Sequence, residues 1–360
     1  MEINRRKPVL LPDKIKVAFM CKWARGLESL IKILRINDPE IISRMVIDEK
    51  NPDYIIATEG CYVSPKLAKQ LKYYLTHCEN SIFIFFSGEC VDPDLNLFDY
   101  ANVYNFELQC GDRISRYIDN RIYTLNNNLT RGDARKILEN SPKFCNFIYS
   151  HGVKARDSFF HMLSEYKRVD SLGSHLNNTG IQSTRHNNDW YQLSIKLKRG
   201  YKFSIAMENA AYRGYMTEKI ISSLEAHTVP IYWGDPTAAD LINPKAFINC
   251  ADYDSFEEVI ERVKEIDNDN EKWLDMVTQP WQTDEQREKT LQISKNHDEF
   301  IHNIFYQDIK KARRRPAGMW ANLLKNAFAG FLFYICVRHQ IGKLFPKRVK
   351  PAIKKFLNIP

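Results

Sequence analysis

The sequence predicts an α/β protein built from two doubly wound domains, and three observations predict it. Short apolar runs rich in β-branched and aromatic residues alternate with longer amphipathic stretches of helical period. The alternation comes as two separate series, divided near residues 140–150. The length, 360 residues, suits two domains of roughly 100–200 residues each. At 44% apolar and 27% charged the chain is too hydrophobic to be disordered, and 14 Gly with 15 Pro excludes a fibrous protein.

In the first series, residues 14–19 (KIKVAF), 53–58 (DYIIAT) and 81–86 (SIFIFF) read as buried strands, with a helical pattern at 64–76. The second begins at 144–149 (FCNFIY) and continues through 168–170, 203–207, 229–233 and 247–249. Helical patterns fall between them at 155–166, 217–227 and 255–266, and the Ser-, Gly- and Asn-rich stretch 171–189 reads as a loop. Strands that alternate with helices form parallel sheets covered on both faces. In such sheets ligands bind outside the carboxyl ends of the strands. Those ends are Ser87-Gly88-Glu89 after Phe86, Ser150-His151-Gly152 after Tyr149, and Glu208-Asn209 after Met207.

The net charge of +8 is unevenly distributed. Residues 310–360 hold 13 Lys or Arg and no acid, which leaves 39 basic against 44 acidic side chains in the body. A body at −5 has no global attraction for an anion, so an anionic substrate would rest on a few placed groups. The opening residues lack the apolar core of a secretory signal. The eight cysteines contain no C-x-x-C pair, so reduced thiols in a cytoplasmic protein are expected. The sequons at Asn128 and Asn177 carry little meaning there.

The most specific stretch is 201–236, YKFSIAMENAAYRGYMTEKIISSLEAHTVPIYWGDP. A strand ends at Glu208-Asn209, a connection carries Tyr212, Arg213 and Tyr215, and a helix opens at Thr217, the expected N-cap. Glu218 falls in the first turn beside Lys219, and a helix N-terminus next to a lysine suits a diphosphate. Lys202-Phe203, Glu208-Asn209, Tyr215-Met216-Thr217-Glu218-Lys219 and the run from Val229 to Gly234 resemble the donor signature of the α1,3/1,4-fucosyltransferases of glycosyltransferase family 10. Met216 stands where the usual residue is Val. Phe86-Ser87-Gly88-Glu89 with Leu97-Phe98-Asp99-Tyr100-Ala101 resembles the acceptor-side loop of bacterial members. Residues 144–150, Arg156, Phe159-Phe160, 166–173 and 177–180 extend the resemblance, and His151 departs from the family's frequent Asn.

The resemblance implies a GT-B-like fold, two Rossmann-like domains facing a cleft, the first binding the acceptor and the second the donor. With the boundary between the two series these span 1–145 and 146–309, and the residue pattern adds a basic amphipathic C-terminal helical tail over 310–360. The donor would be GDP-fucose, and transfer would go with inversion to the 3-hydroxyl of N-acetylglucosamine in an N-acetyllactosamine-type glycan, such as a Lewis-type or lipopolysaccharide structure. Glu89 would be the base, Arg156 and Lys219 would meet the diphosphate, and Ser150, Asn209, Tyr215 and Glu218 would complete the donor set. Transfer to a 4-hydroxyl, transfer of another sugar, and a non-catalytic nucleotide- or glycan-binding protein are the alternatives.

No obligatory metal or cofactor is expected. Asp92-Pro93-Asp94 reads as turn chemistry, and Asp252-Tyr253-Asp254 and Asp267-Asn268-Asp269 as solvated acids at helix ends. By itself Glu89 is a loop carboxylate, Arg156 a surface residue, Lys219 half of a surface ion pair with Glu218, and Tyr215 core packing. Trp190, Tyr191, Trp233 and Trp273 read as aromatic core rather than a sugar platform. In the tail, Met319, Trp320, Leu323, Leu324, Ala327, Phe328, Phe331 and Ile335 recur at helical spacing, and Lys-flanked apolar positions continue to Leu357. An amphipathic, basic segment suits an anionic membrane surface better than nucleic acid. The expectation is a cytoplasmic enzyme peripheral to the inner membrane face; the alternative packs the first tail helix on the enzyme body.

Overall fold

The structure, a computed structural model, describes residues 11–105, 111–140, 142–181, 189–312, 314–316, 322, 323, 326–328, 330 and 331. The chain divides into two compact units, one of residues 1–117 with 296–360, the other of residues 118–295.

In the first unit β1 (Ile15–Met20), α1 (Gly26–Leu34), α2 (Pro39–Arg44), β2 (Met45–Ile47), β3 (Tyr54–Thr58), α3 (Gly60–Val63), α4 (Pro65–His77), β4 (Ile82–Phe86), β5 (Tyr100–Val103) and β6 (Ile114–Arg116) follow in order. The sheet runs β2-β1-β3-β4-β5-β6, and every pairing is parallel. The central strands are buried on both faces, so YIIAT and IFIFF are unbroken apolar runs. Alternate residues feed two cores: Val17, Ile56 and Ile84 on one face, Ala18, Ile55 and Phe83 on the other. Helix α4 starts on Pro65 and turns Leu67, Ala68, Leu71, Tyr74 and Leu75 inward at spacings of three and four. Strands β2, β5 and β6 escape a search for apolar runs because they hold only three or four residues, with Asn102, Ser115 and Arg116 among them.

The second unit contains α5 (Arg131–Glu139), β7 (Lys143–Phe147), α6 (Lys154–Tyr166), β8 (Val169–Ser171), α7 (Trp190–Lys198), β9 (Tyr201–Met207), α8 (Glu218–Glu225), β10 (Val229–Trp233), β11 (Ile248–Asn249), α9 (Phe256–Asp267) and α10 (Asn270–Val277). Its sheet, again parallel throughout, runs β11-β10-β9-β7-β8. Counted within the unit this is the order 2-1-3-4-5, and its switch point lies between β7 and β9, whose carboxyl ends are where open α/β sheets bind ligands. Two further helices, α11 (Asp284–Phe305) and α12 (Ile309–Ala312), close the series.

The division differs from a boundary at 145/146 for a packing reason. Ile118, Ile122 and Leu125 belong to the cluster of Ile220, Ile221 and Leu224, and Arg131 on α5 pairs with Glu271 and Asp275. From Asn296 onward α11 counts with the first unit, where Phe300, Ile301, Ile304 and Phe305 join the core of Val17 and Ile56.

The start of the basic segment is also part of the first unit. Asp99 is fully buried and accepts from the Phe83, Arg314 and Arg315 amides (2.8, 2.8 and 2.9 Å) and from the Arg315 guanidinium. Arg315 also donates to the Glu79 and Ser81 carbonyls (2.8 and 2.9 Å). Phe328 is buried in the cluster of Leu71, Leu75 and Phe83. Arg314, Arg315 and Phe328 therefore contribute to this unit's packing, as the alternative for the first tail helix has it, while residues 313, 317–321, 324, 325, 329 and 332–360 lie outside the described residues. No helix among the described residues is long and apolar enough to cross a membrane.

Asp267 is not a solvated acid. Its side chain is 3% exposed, with Lys202 and Lys167 ammonium groups each at 3.0 Å and the Tyr166 hydroxyl at 3.2 Å. Burial opposes its ionisation, but the two lysines outweigh this and hold it below the usual carboxylate range. Asp269 caps α10 instead, accepting from the Glu271 and Lys272 amides. Asp94 takes the Asn96 amide at 2.9 Å, the turn geometry its sequence suggests.

Candidate functional site

In the second unit the residues that follow β7, β9 and β10 converge on the N-terminal turn of α8. Tyr149 spans the switch point: its hydroxyl donates to the Ile205 carbonyl (2.8 Å) and accepts from the Met207 amide (2.7 Å). Against its ring, at 3.7 Å, lies the guanidinium of Arg156. Arg156 is fully buried and not the surface residue its place on an amphipathic helix suggests. It donates to the His151 carbonyl (2.8 Å), the Met207 carbonyl (3.3 Å) and Asn209 Oδ1 (3.4 Å). Its Nε has no hydrogen-bond partner among the described residues. A buried donor of a permanent cation left unpaired is costly unless a ligand completes it.

Glu208, a residue of the sequence motif with no role assigned to it, organises the next group. It is fully buried and accepts from the Thr217 amide (2.8 Å), the Thr217 hydroxyl (2.8 and 2.9 Å) and Lys219 Nζ (2.7 Å). Thr217 therefore occupies the N-cap position of α8 without capping it with its side chain, because its hydroxyl is committed to Glu208. Lys219 is not a surface partner of Glu218: Glu208 is the near ion pair and Glu218 lies farther, at 3.8 Å. Burial works against the Lys219 ammonium, yet Glu208 and Glu218 hold its pKa above the ordinary lysine value. The Tyr149 phenol is pushed up to about 12 by burial, against the pull of Arg156 and Lys219, so both cations face it.

Glu218 keeps about a third of its side chain open, at 29%. Burial raises its pKa, but Lys219, its own amide, Arg121 and Lys198 prevail and keep it ionised below the usual range. Tyr215 is buried, with its hydroxyl 3.5 Å from Asn209 Nδ2 and its carbonyl accepting from Tyr232. Ser150 is exposed, 3.4 Å from His151 Nδ1. Arg156, Asn209, Tyr215, Glu218 and Lys219 thus share one edge of the sheet with Ser150. Two glycines make the approach possible: a Cβ on Gly173 would stand 2.1 Å from the Tyr149 carbonyl oxygen, and one on Gly234 would stand 2.4 Å from Glu208 Cγ. His175 Nε2 lies 2.9 Å from Asp157 Oδ1 beside this loop.

In the first unit Glu89 follows β4 with its side chain exposed. Ser87, fully buried, fixes the backbone: its hydroxyl accepts from the Glu89 amide (3.1 Å) and donates to the Glu89 carbonyl (3.0 Å). Glu59 directly follows the neighbouring strand β3, and sequence reasoning missed it. Burial, then the charge of Glu89, push the Glu59 carboxyl up. The position after a buried strand, the rule that picks out Glu89, would have found Glu59 too. Trp23, just past β1, is 74% exposed with Lys22 Nζ over its ring at 4.3 Å. Among the described residues no group of three or more His, Cys, Asp or Glu could hold a metal ion.

Residues 140–315 match the family model described as glycosyltransferase family 10 (fucosyltransferase) C-term. The α1,3-fucosyltransferase FucT of Helicobacter pylori is 30% identical over 238 residues, covering 55% of this chain and 47% of that protein. A protein of Acanthamoeba polyphaga mimivirus, also bearing the name of a fucosyltransferase, is 25% identical over 285 residues, covering 77% of this chain and 46% of its own. The chain thus spans about half the length of the curated relatives it matches. The crystal structure of an α1,3-fucosyltransferase with GDP-fucose superposes with a TM-score of 0.57 at 21% identity, covering 86% of this chain and 95% of that one. That likeness concerns the fold alone, two units each built on a parallel α/β sheet.

Proposed function

We propose that this chain, with family-10 fucosyltransferase affinity supported by the family model, relatives and solved structures, transfers L-fucose from GDP-fucose to a glycan hydroxyl. The acceptor on this reading is the 3-hydroxyl of N-acetylglucosamine in an N-acetyllactosamine-type glycan, and the transfer inverts the fucose anomeric carbon.

The observation that carries the reading is Arg156. Its buried guanidinium has an unpaired Nε and lies at the switch point of the sheet, where a nucleotide's phosphates are expected. Lys219 and the amides that open α8 supply further positive charge toward the same edge. Glu218, ionised and partly open, suits ribose hydroxyls, and Asn209, Tyr215 and Ser150 offer polar atoms beside it.

In the reaction the Glu89 carboxylate takes the proton of the acceptor hydroxyl as its oxygen bonds to fucose C1. The bond from C1 to the β-phosphate oxygen breaks, and GDP leaves with the charge borne by Arg156, Lys219 and the α8 terminus. A positioned base contributes about 10²–10⁴-fold, and fixed charges on the leaving group usually contribute more. We further propose that residues beyond Phe331 associate with an anionic membrane surface at the cytoplasmic face. The basic, apolar character of that stretch supports this.

Glu89→Gln is the direct test. Transfer from GDP-fucose to N-acetyllactosamine is expected to fall by at least about a hundredfold, while GDP still raises the melting temperature. Unchanged turnover would remove Glu89 from the chemistry. A wild-type protein that GDP does not protect would sink the donor assignment, and linkage analysis of the product separates 3- from 4-transfer.

A further inference from the structure

Lys198 ends α7 and is 5% exposed, with no acidic partner at hydrogen-bond distance among the described residues. Its ammonium donates to Ser222 Oγ (2.6 Å), Ser223 Oγ (3.1 Å) and the Lys219 carbonyl (3.4 Å), all on α8. The arrangement continues inward: Ser223 Oγ lies 3.0 Å from Ser204 Oγ on β9, which donates to Asn146 Oδ1 on β7 (2.9 Å). A buried polar chain therefore runs from α7 through the first turns of α8 to the strands that flank the switch point. Its first link touches the backbone of Lys219 directly.

We propose that Lys198 is a positioning residue of the donor site, a buried ammonium that fixes the opening turns of α8 and supplies positive charge behind Glu218 and Lys219. It touches no reacting atom, and the inference rests on the reading of this edge as the GDP site. Four charged groups face it: Glu218, Lys219 and Glu225 from α8, and Glu208 from the end of β9. Burial lowers its pKa to about 7, with Glu218, Glu208 and Glu225 resisting and Lys219 assisting. Near neutrality Lys198 is thus divided between its charged and neutral forms. A bound diphosphate adds negative charge beside this cluster and favours the charged form, so GDP binding takes up a proton at Lys198. By the same linkage, GDP affinity declines as pH rises through neutrality and Lys198 loses its charge.

Calorimetry of GDP binding in two buffers of different ionisation enthalpy tests this. The wild type is expected to take up a fraction of a proton at pH about 7.5, with affinity weakening roughly three- to tenfold from pH about 6.5 to about 8.5. Lys198→Met should abolish the Lys198-dependent uptake and flatten that slope. Ser222→Ala keeps the charge but removes the shortest hydrogen bond, so it should move the slope to lower pH, and it decides the matter if the methionine variant does not fold. A slope unchanged in both variants overturns the inference while leaving the donor site standing. No GDP binding by the wild type at any pH overturns the donor reading and this inference together.

Discussion

Arg156 shows how much one side chain's burial changes its meaning. On sequence alone it is a cation near the start of an amphipathic helix; in the fold it is enclosed, stacked on Tyr149 and left with one donor unsatisfied. Hydrogen bonds to charged groups contribute about 1.5–3 kcal/mol. Arg156→Ala should therefore weaken GDP binding by roughly ten- to a hundredfold, measured by calorimetry. Arg156→Lys should recover little of this, since an ammonium cannot reproduce the planar fork that reaches His151, Met207 and Asn209 together. An affinity unchanged in both variants would take Arg156 out of the donor site.

At the scale of elements, a buried ion pair holds the rear of the second unit. Lys202 of β9 and Lys167, just after α6, meet on Asp267 at the end of α9. The Asp267 carboxyl is depressed below its ordinary value, so the linkage has a definite sign. The folded state favours the ionised form, and the stabilisation is fully present above the unfolded pKa of about 3.9. It is lost as pH falls through the lower, folded pKa. Asp267→Asn should destabilise the protein by about 3–5 kcal/mol near neutrality, because it leaves the buried Lys202 ammonium unmatched. It should also shrink the loss of stability on acidification. Urea midpoints at about pH 6 and pH 3.5 would check both. Strand and helix existence was legible here from short apolar runs and helical spacing. The partner of each buried charge was not, because Lys202 and Asp267 are 65 residues apart in sequence.

For the whole molecule, the basic segment that makes the net charge positive has two parts. Its opening arginines are bound to Asp99 and its Phe328 fills a core, whereas the residues beyond Phe331 are the stretch proposed to meet a membrane. Two truncations separate these roles. Ending the chain after Phe331 should release the protein from vesicles of anionic lipid while leaving its melting temperature within a degree or so. Ending it after Arg315 should also cost stability, by roughly 1.5–3 kcal/mol for the lost burial of Phe328. Vesicle sedimentation and thermal melting read the two effects, and continued sedimentation of the first truncation would refute the membrane role.

The sequence by itself determined the alternation of strands and helices, the parallel sheets that follow from it, and the polar residues at the strands' carboxyl ends. Those are local properties: runs, periods and the residue that comes next. Tertiary structure alone decided which of those residues are enclosed and what each one faces. It turned Lys219 toward Glu208 instead of solvent, buried Lys198 behind α8, and brought Arg315 across 216 residues of chain to Asp99. The physical reason is that a charge's worth depends on its desolvation and its nearest partners. Both are set by packing between segments that local sequence does not connect.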